Sequence, residues 1–124
     1  MIQKSRLNFG EIWLANLNPG SGAEPGKTRP VLIIQDQALL DISHPSTLII
    51  PLTTDLFENA LPLRIRIESQ DNLKKDSDLL IDQIRAIDNQ RFKLGPLMTC
   101  SNAMMQYVQK AILEVMGVKI EDFA

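Results

Sequence analysis

The sequence predicts a mainly β (α+β) domain, a small and strongly curved barrel of short strands with one amphipathic C-terminal helix packed on it. Three observations carry that prediction. Short apolar runs rich in β-branched residues recur along the chain between Gly and Pro punctuation. The last long segment, SNAMMQYVQKAILEVMG, changes to a helical period. The length of 124 residues allows one core, so residues 1–124 form a single domain with no cleft between two halves.

The elements follow in order. Glu11 to Leu17 (EIWLANL) follows Gly10 and is apolar at Ile12, Leu14 and Leu17 with Trp13 between, a short strand. Asn18 to Thr28 (NPGSGAEPGKT) holds three glycines and two prolines and reads as an open, mobile loop. Pro30 then opens VLII, a strand buried on both faces or closed into a barrel, and a proline at the first strand position costs no ladder hydrogen bond. Thr47 to Thr53 (TLIIPLT) repeats the pattern, with Pro51 marking an edge or a bulge at the strand's end.

Leu63 to Glu68 (LRIRIE) alternates, so Arg64 and Arg66 share one face while Leu63, Ile65 and Ile67 take the other. Asp78 to Arg91 (DLLIDQIRAIDNQR) starts as a strand and bends, or makes one short helical turn, after Gln83. The helix is bounded by Ser101 as N-cap and Gly117 at C′, and Met105, Val108, Ile112 and Val115 fall on one face.

Composition limits function. Hydrophobic residues are 44% of the chain and charged residues 23%, which describes a folded globular protein. The net charge of −2 does not describe a general nucleic-acid binder, so any RNA role rests on a local basic surface. The N-terminal MIQKSRLNFGEIW carries Lys4 and Arg6 with no apolar stretch after them, and no run approaches a membrane span, so the expected setting is the cytoplasm with no membrane partner. Cys100 stands alone, excluding an internal disulfide, and with His44 as the one histidine the chain lacks the ligand count of a zinc site. No metal and no cofactor are expected.

The stretch EPGKTRPVLIIQ, Glu24 to Gln35, sets Arg29 between a Gly/Pro loop and a core strand. A guanidinium is a planar fork of donors suited to phosphate oxygens. An ion pair with Glu24 or Asp36 at the strand entrance explains the same arginine without chemistry.

Together with GEIWLANLNP, the spacing Glu24-x-x-x-x-Arg29-Pro30-Val31, PLTT at 51–54, DQIRAID at 82–88 and the Met-rich final helix, this stretch resembles the MazF/PemK/Kid toxins of bacterial type II toxin–antitoxin pairs. The blocks stand in family order over nearly the whole chain. The resemblance implies a compact SH3-like, CcdB/PemK-type barrel, a homodimer, and a sequence-specific endoribonuclease (mRNA interferase) that cleaves single-stranded RNA without metal. It also implies inhibition by a MazE/PemI-like antitoxin whose disordered tail lies in the dimer groove.

By position, Arg29 and Thr53 match the family's catalytic arginine and threonine, Asp82 matches an aspartate with a catalytic role in some members, and Glu24 and Gln83 match residues near bound RNA. Glu24 and Asp82 are the candidate proton acceptors. Lys27, Thr28, Arg64, Arg66, Gln83 and Arg85 complete the candidate RNA-binding set, and an acidic antitoxin tail is expected to cover Lys27, Arg29, Arg64 and Arg66. Some members carry a histidine where this chain has Ala23 and an arginine where it has Leu80, so a mechanism that uses those groups does not transfer.

Other readings stand beside these. Thr53 also suits a β-branched strand end, Asp82 and Gln83 a bend, and Arg64 with Arg66 a solvated face. His44 lies away from every matched block, Trp13 reads as core or interface, and Cys100 as a small buried hydrophobe. A binding-only toxin of the CcdB kind, which poisons gyrase by contact, shares the fold, but those toxins use a tryptophan near the C-terminus where this chain ends KIEDFA. A member that binds RNA or antitoxin without cutting is the remaining alternative. Base specificity is expected in the loops Asn18 to Thr28 and Asp36 to Ser46.

Overall fold

The computed structural model describes residues 6–24 and 26–119; Lys4, Pro25 and the terminal segment 120–124 named above lie outside them. Seven strands form one antiparallel sheet: β1 (Glu11–Asn16), β2 (Thr28–Ile33), β3 (Ser46–Thr53), β4 (Arg64–Ile67), β5 (Ser77–Leu80), β6 (Arg85–Asp88) and β7 (Phe92–Thr99). A short helix α1 (Gln37–Asp41) joins β2 to β3, and α2 (Asn102–Val115) follows β7. The spatial order is β4-β5-β3-β2-β1-β7, with β6 beside the first half of β3.

The mainly β class with one C-terminal helix stands as predicted, but the sheet is open: β4 and β7 end it and do not pair with each other. The period of two divides the core. Ile12, Leu32, Ile50, Leu52, Ile65, Ile67 and Leu79 face α2, which buries Met105, Val108 and Ala111 against them. Trp13, Ala15, Val31, Ile33, Ile49 and Ile87 face the other way and are covered by Leu40 and Phe92. Each large side chain so buried contributes about 1.5–3 kcal/mol.

The helix begins and ends where its caps predict. Ser101 Oγ accepts from the Met104 N–H at 3.1 Å, and beyond the C-terminus Gly117 adopts φ +79°, the left-handed conformation glycine tolerates without strain.

Several expectations are corrected. Strand β2 starts at Thr28, so Pro30 lies inside it, opposite Leu14. Pro51 is at neither an edge nor a strand end: β3 is central, and Pro51 stands between the Ile49–Arg85 and Leu52–Leu79 pairings, where the neighbouring strand is broken. That break is one turn of 3-10 helix, Ile81–Gln83, close to the bend expected after Gln83. Leu63 is exposed rather than buried with Ile65 and Ile67.

Strand β7 is absent from the sequence-based reading. Gly95 and Pro96 interrupt its period, and the pairing with β1 shifts register on either side of Leu14. The glycine is there for Trp13: a Cβ on Gly95 would collide with the indole ring. Trp13 is core, packed edge-on to Phe92 and donating from Nε1 to Glu11 Oε1 at 3.0 Å.

Candidate active site

Sheet register brings the principal residues into one row. Ala15 pairs with Arg29. The register that pairs Val31 with Pro51, carried two residues further, sets Arg29 beside Thr53. Thr53 pairs with Asp78, and Asp78 with Arg66. Directly opposed residues share a face, so Arg29, Thr53, Asp78 and Arg66 cross four strands side by side.

Arg29 is held by backbone. Its Nε donates to Gly26 O at 2.9 Å and its Nη1 to Leu52 O at 3.1 Å. Both acceptors are neutral, and no ion pair to Arg29 occurs among the described residues. The alternative in which Glu24 or Asp36 pairs with it is therefore not what the fold contains. Burial pulls the guanidinium down from its ordinary value, and the charge of Asp55 opposes that shift. The remaining N–H groups of the fork are left for a ligand.

The loop before Arg29 is closed on itself. A Cβ on Gly26 would stand 2.6 Å from Gly20 N, and one on Gly20 would stand 2.8 Å from Gly26 N. Glycine at both positions lets the two passes of backbone touch, and Asn18 Oδ1 accepts from the Lys27 N–H at 2.6 Å. The glycines read from the sequence as openness serve close approach, and that approach delivers the Gly26 carbonyl to Arg29.

Thr53 ends β3. Its Oγ1 accepts from the Asp55 N–H at 3.2 Å. A hydroxyl used as acceptor keeps its own proton to donate.

Asp78 is the residue that sequence reasoning missed. It is 1% exposed, and its carboxylate accepts from Arg66 Nε at 2.7 Å, the Phe57 N–H at 2.9 Å and Arg64 Nη1 at 3.3 Å. Burial alone would raise its pKa; the hydrogen bonds from Arg66, Phe57 and Arg64 outweigh that and hold it below the ordinary carboxylate value. Arg66 Nη2 also donates to Glu58 Oε1 at 2.9 Å, and Arg64 Nη1 to Asp55 O at 2.7 Å. The signal in the sequence was a charge set directly before the apolar run Leu79, Leu80 and Ile81.

The other candidates stand at varied distances from this row. Lys27 and Thr28 are exposed at the start of β2, beside Arg29. Glu24 is exposed in the closed loop, where its backbone bridges Ser21. Asp82 and Gln83 lie in the 3-10 turn where β5 gives way to β6, and no hydrogen bond joins them to Arg29 or Thr53 among the described residues. Arg85 is paired with Ile49, and its Nη1 is buried with no hydrogen-bond partner among the described residues.

The loop Asp36 to Ser46, with His44, joins the far ends of β2 and β3 and so lies at the opposite end of the sheet from Arg29 and Thr53. The segment that adjoins the row is 54–63. Cys100 is buried, which pushes its thiol up to about 11 and keeps it protonated.

Neither Arg29 nor Thr53 lines the clefts of about 320 and 450 Å³ at the β4 edge. They stand at the end of the sheet where β2 begins and β3 ends.

Residues 8–116 match the family described as PemK-like, MazF-like toxin of type II toxin–antitoxin system. The chain belongs to that family. It is 36% identical over 107 residues to the protein named Endoribonuclease MazF from Staphylococcus saprophyticus, a match spanning 86% of this chain and 88% of that one. Its fold is that of MazF from Deinococcus radiodurans (TM-score 0.76, 17% identity, 93% of this chain and all of that one). It is also that of a mycobacterial endoribonuclease solved with its cognate antitoxin (TM-score 0.68, 17% identity, 90% and 95%). The expectation of a MazF-like toxin agrees with all of these. No described helix of this toxin is long and apolar enough to cross a membrane.

Proposed function

We propose that this toxin is an endoribonuclease that cuts single-stranded RNA without a metal, using Arg29 and Thr53. The observation that carries the proposal is the Arg29 guanidinium, fixed by two neutral carbonyls beside Thr53, with its remaining donors unpaired among the described residues. In the reaction the RNA 2′-oxygen attacks the adjacent phosphorus while the bond to the 5′-oxygen breaks. The 2′-hydroxyl proton passes to a base, and the leaving oxygen takes a proton. The products are a 2′,3′-cyclic phosphate and a 5′-hydroxyl end.

Extra negative charge develops on the phosphoryl oxygens, and Arg29 with the Thr53 hydroxyl meets it. The lowered pKa of Arg29 moves in the direction a proton donor needs, but a guanidinium stays charged far above neutral pH and its rigid fork is better used as a standing charge. Glu24 and Asp82 remain the proton acceptors of this reading, and Lys27 and Thr28 extend the surface toward the next phosphate. Arg64 and Arg66 are matched by Asp78 and Glu58, so they supply less free charge to RNA than their number suggests.

The toxin works as a homodimer held in check by an antitoxin. Supporting this are the family match and a cleft bordered by Leu61, Pro62 and Tyr107, where Leu61 and Tyr107 are exposed apolar side chains of the kind a partner covers.

The test is incubation of antitoxin-free protein with a long unstructured RNA in excess EDTA, beside Arg29→Ala, with mapping of cut sites and end groups. Discrete cuts with 5′-hydroxyl ends, lost in the variant, are expected. No cutting by folded protein across varied RNAs would overturn the proposal in favour of a toxin that only binds.

A further inference from the structure

We infer that Asp78 is a positioning residue for cleavage: a buried carboxylate that fixes the segment after Thr53 and thereby the hydroxyl Thr53 presents. The inference rests on the ribonuclease reading above and adds to it a residue that neither the sequence motif nor the family resemblance points to.

The connections run in a closed circuit. Thr53 and Asp78 are cross-strand partners. From Thr53 the chain leaves the sheet, and its first turn is made by the Asp55 N–H donating to Thr53 Oγ1 at 3.2 Å. The Asp55 carbonyl is gripped by Arg64 Nη1 at 2.7 Å, and the same Nη1 reaches Asp78 Oδ2 at 3.3 Å. Two residues on, the Phe57 N–H returns to that oxygen at 2.9 Å. The Arg64 guanidinium lies 4.3 Å from the centre of the Phe57 ring, which holds in place a side chain that is 63% exposed. Arg66 takes the other carboxylate oxygen at 2.7 Å and anchors Glu58. Residues 55, 57 and 58 are thus each tied to Asp78 or to an arginine that Asp78 holds.

Burial of the β5 strand does not require this arrangement. Its neighbour Leu79 packs with no exposed surface, and an apolar residue at position 78 would avoid the desolvation of a carboxylate. What a carboxylate supplies and an apolar residue cannot is a fixed point for three donors, two from β4 and one from the loop after Thr53. The loop so fixed begins at the hydroxyl that faces the scissile phosphate in the proposed reaction.

Asp78→Asn keeps the shape and an acceptor for the Phe57 N–H but removes the charge that orders both arginines. Asp78→Glu keeps the charge and displaces it. The expected result for both, at a temperature well below melting, is a kcat lower by about ten- to a hundredfold with KM little changed, the pattern of a misplaced group rather than a lost contact.

A rise in KM at constant kcat would make Arg64 and Arg66 direct RNA contacts and overturn the inference. Native kcat and KM in a variant of lowered melting temperature would reduce Asp78 to a structural residue and overturn it too. Should both variants fail to fold, Arg64→Lys, which leaves Asp78 in place and removes the fork joining it to the Asp55 carbonyl, is expected to lower kcat in the same way; native kcat there would overturn the inference. A native chain that cuts, matched by Asp78→Asn, defeats this inference alone, whereas a native chain that does not cut defeats the ribonuclease reading and this one with it.

Discussion

Arg29 and Arg66 stand at the two ends of the same four-strand transverse row, with Thr53 and Asp78 on the two strands between them, and the fold treats them in opposite ways. Arg29 is held by the carbonyls of Gly26 and Leu52 and makes no ion pair among the described residues, feeling the charge of Asp55 only through space. Arg66 is held by the carboxylates of Asp78 and Glu58, and its charge is cancelled where it stands. Neutral acceptors can fix a cation without neutralising it; anionic ones fix it more strongly and leave little field for a ligand. On the proposed reading, the difference separates a group that meets a phosphate from one that holds the protein.

The largest consequence is a double dissociation. Arg29→Ala is expected to lower cleavage by about 10²–10³-fold, the range for losing one preorganised donor to a developing oxyanion. It should reduce stability only by about 1–2 kcal/mol, the worth of two hydrogen bonds to carbonyls. Arg66→Ala should reverse the ranking, because it strips the buried Asp78 of its shortest partner, with a larger stability loss than Arg29→Ala in chemical denaturation. Equal stability losses in the two variants would break the comparison.

Thr53→Val comes next. It keeps the β-branched shape and removes the hydroxyl, so a roughly tenfold fall in cleavage at nearly native melting temperature is expected. Native activity in that variant would return Thr53 to the role of a strand end.

These expectations draw unequally on what the sequence makes legible. Strands β1 to β5 and helix α2 follow from local pattern, because alternation and caps are properties of neighbouring residues. Arg29 and Thr53 were legible through their motif, since the proline and the apolar run after Arg29 mark a rigid strand entry. Strand β7 was not, because Gly95 and Pro96 break its period for a reason located on Trp13, more than eighty residues earlier in the chain. Asp78 was hidden in the same way: its partners come from β4 and from the 54–63 segment, and only register reveals them. The loop Asp36 to Ser46 reads from the sequence as a recognition loop, and an antiparallel connection carries it to the end of the sheet opposite Arg29 and Thr53.

Acid should expose the Asp78 side of the comparison. The folded-state pKa of this carboxyl lies below its ordinary 3.8, so the charged form is favoured by folding. Its contribution to stability is complete above that ordinary value and is lost as pH falls from there through the lowered one. The stability gap between the native chain and Asp78→Asn is therefore expected to be constant from pH 7 to about pH 5 and to shrink below pH 4. A gap that persists unchanged to pH 2 would mean that the charge on Asp78 is not what the arginines are held by.

The smallest effect asks most directly which cations RNA meets. Binding of a non-cleavable single-stranded RNA analogue, in which the 2′-hydroxyl at the cut site is absent, weakens with salt in proportion to the number of phosphates neutralised, and each contact on a single strand adds about 0.7 to the log–log slope. Lys27, exposed beside Arg29 and free of any described ion pair, should behave as such a contact, so Lys27→Gln is expected to flatten the slope by about that amount. Arg66→Gln should leave the slope as it is, because Asp78 and Glu58 already occupy the place of the counterions that RNA would release. A slope that flattens for Arg66 and not for Lys27 would invert the assignment, making the carboxylates a store that RNA displaces.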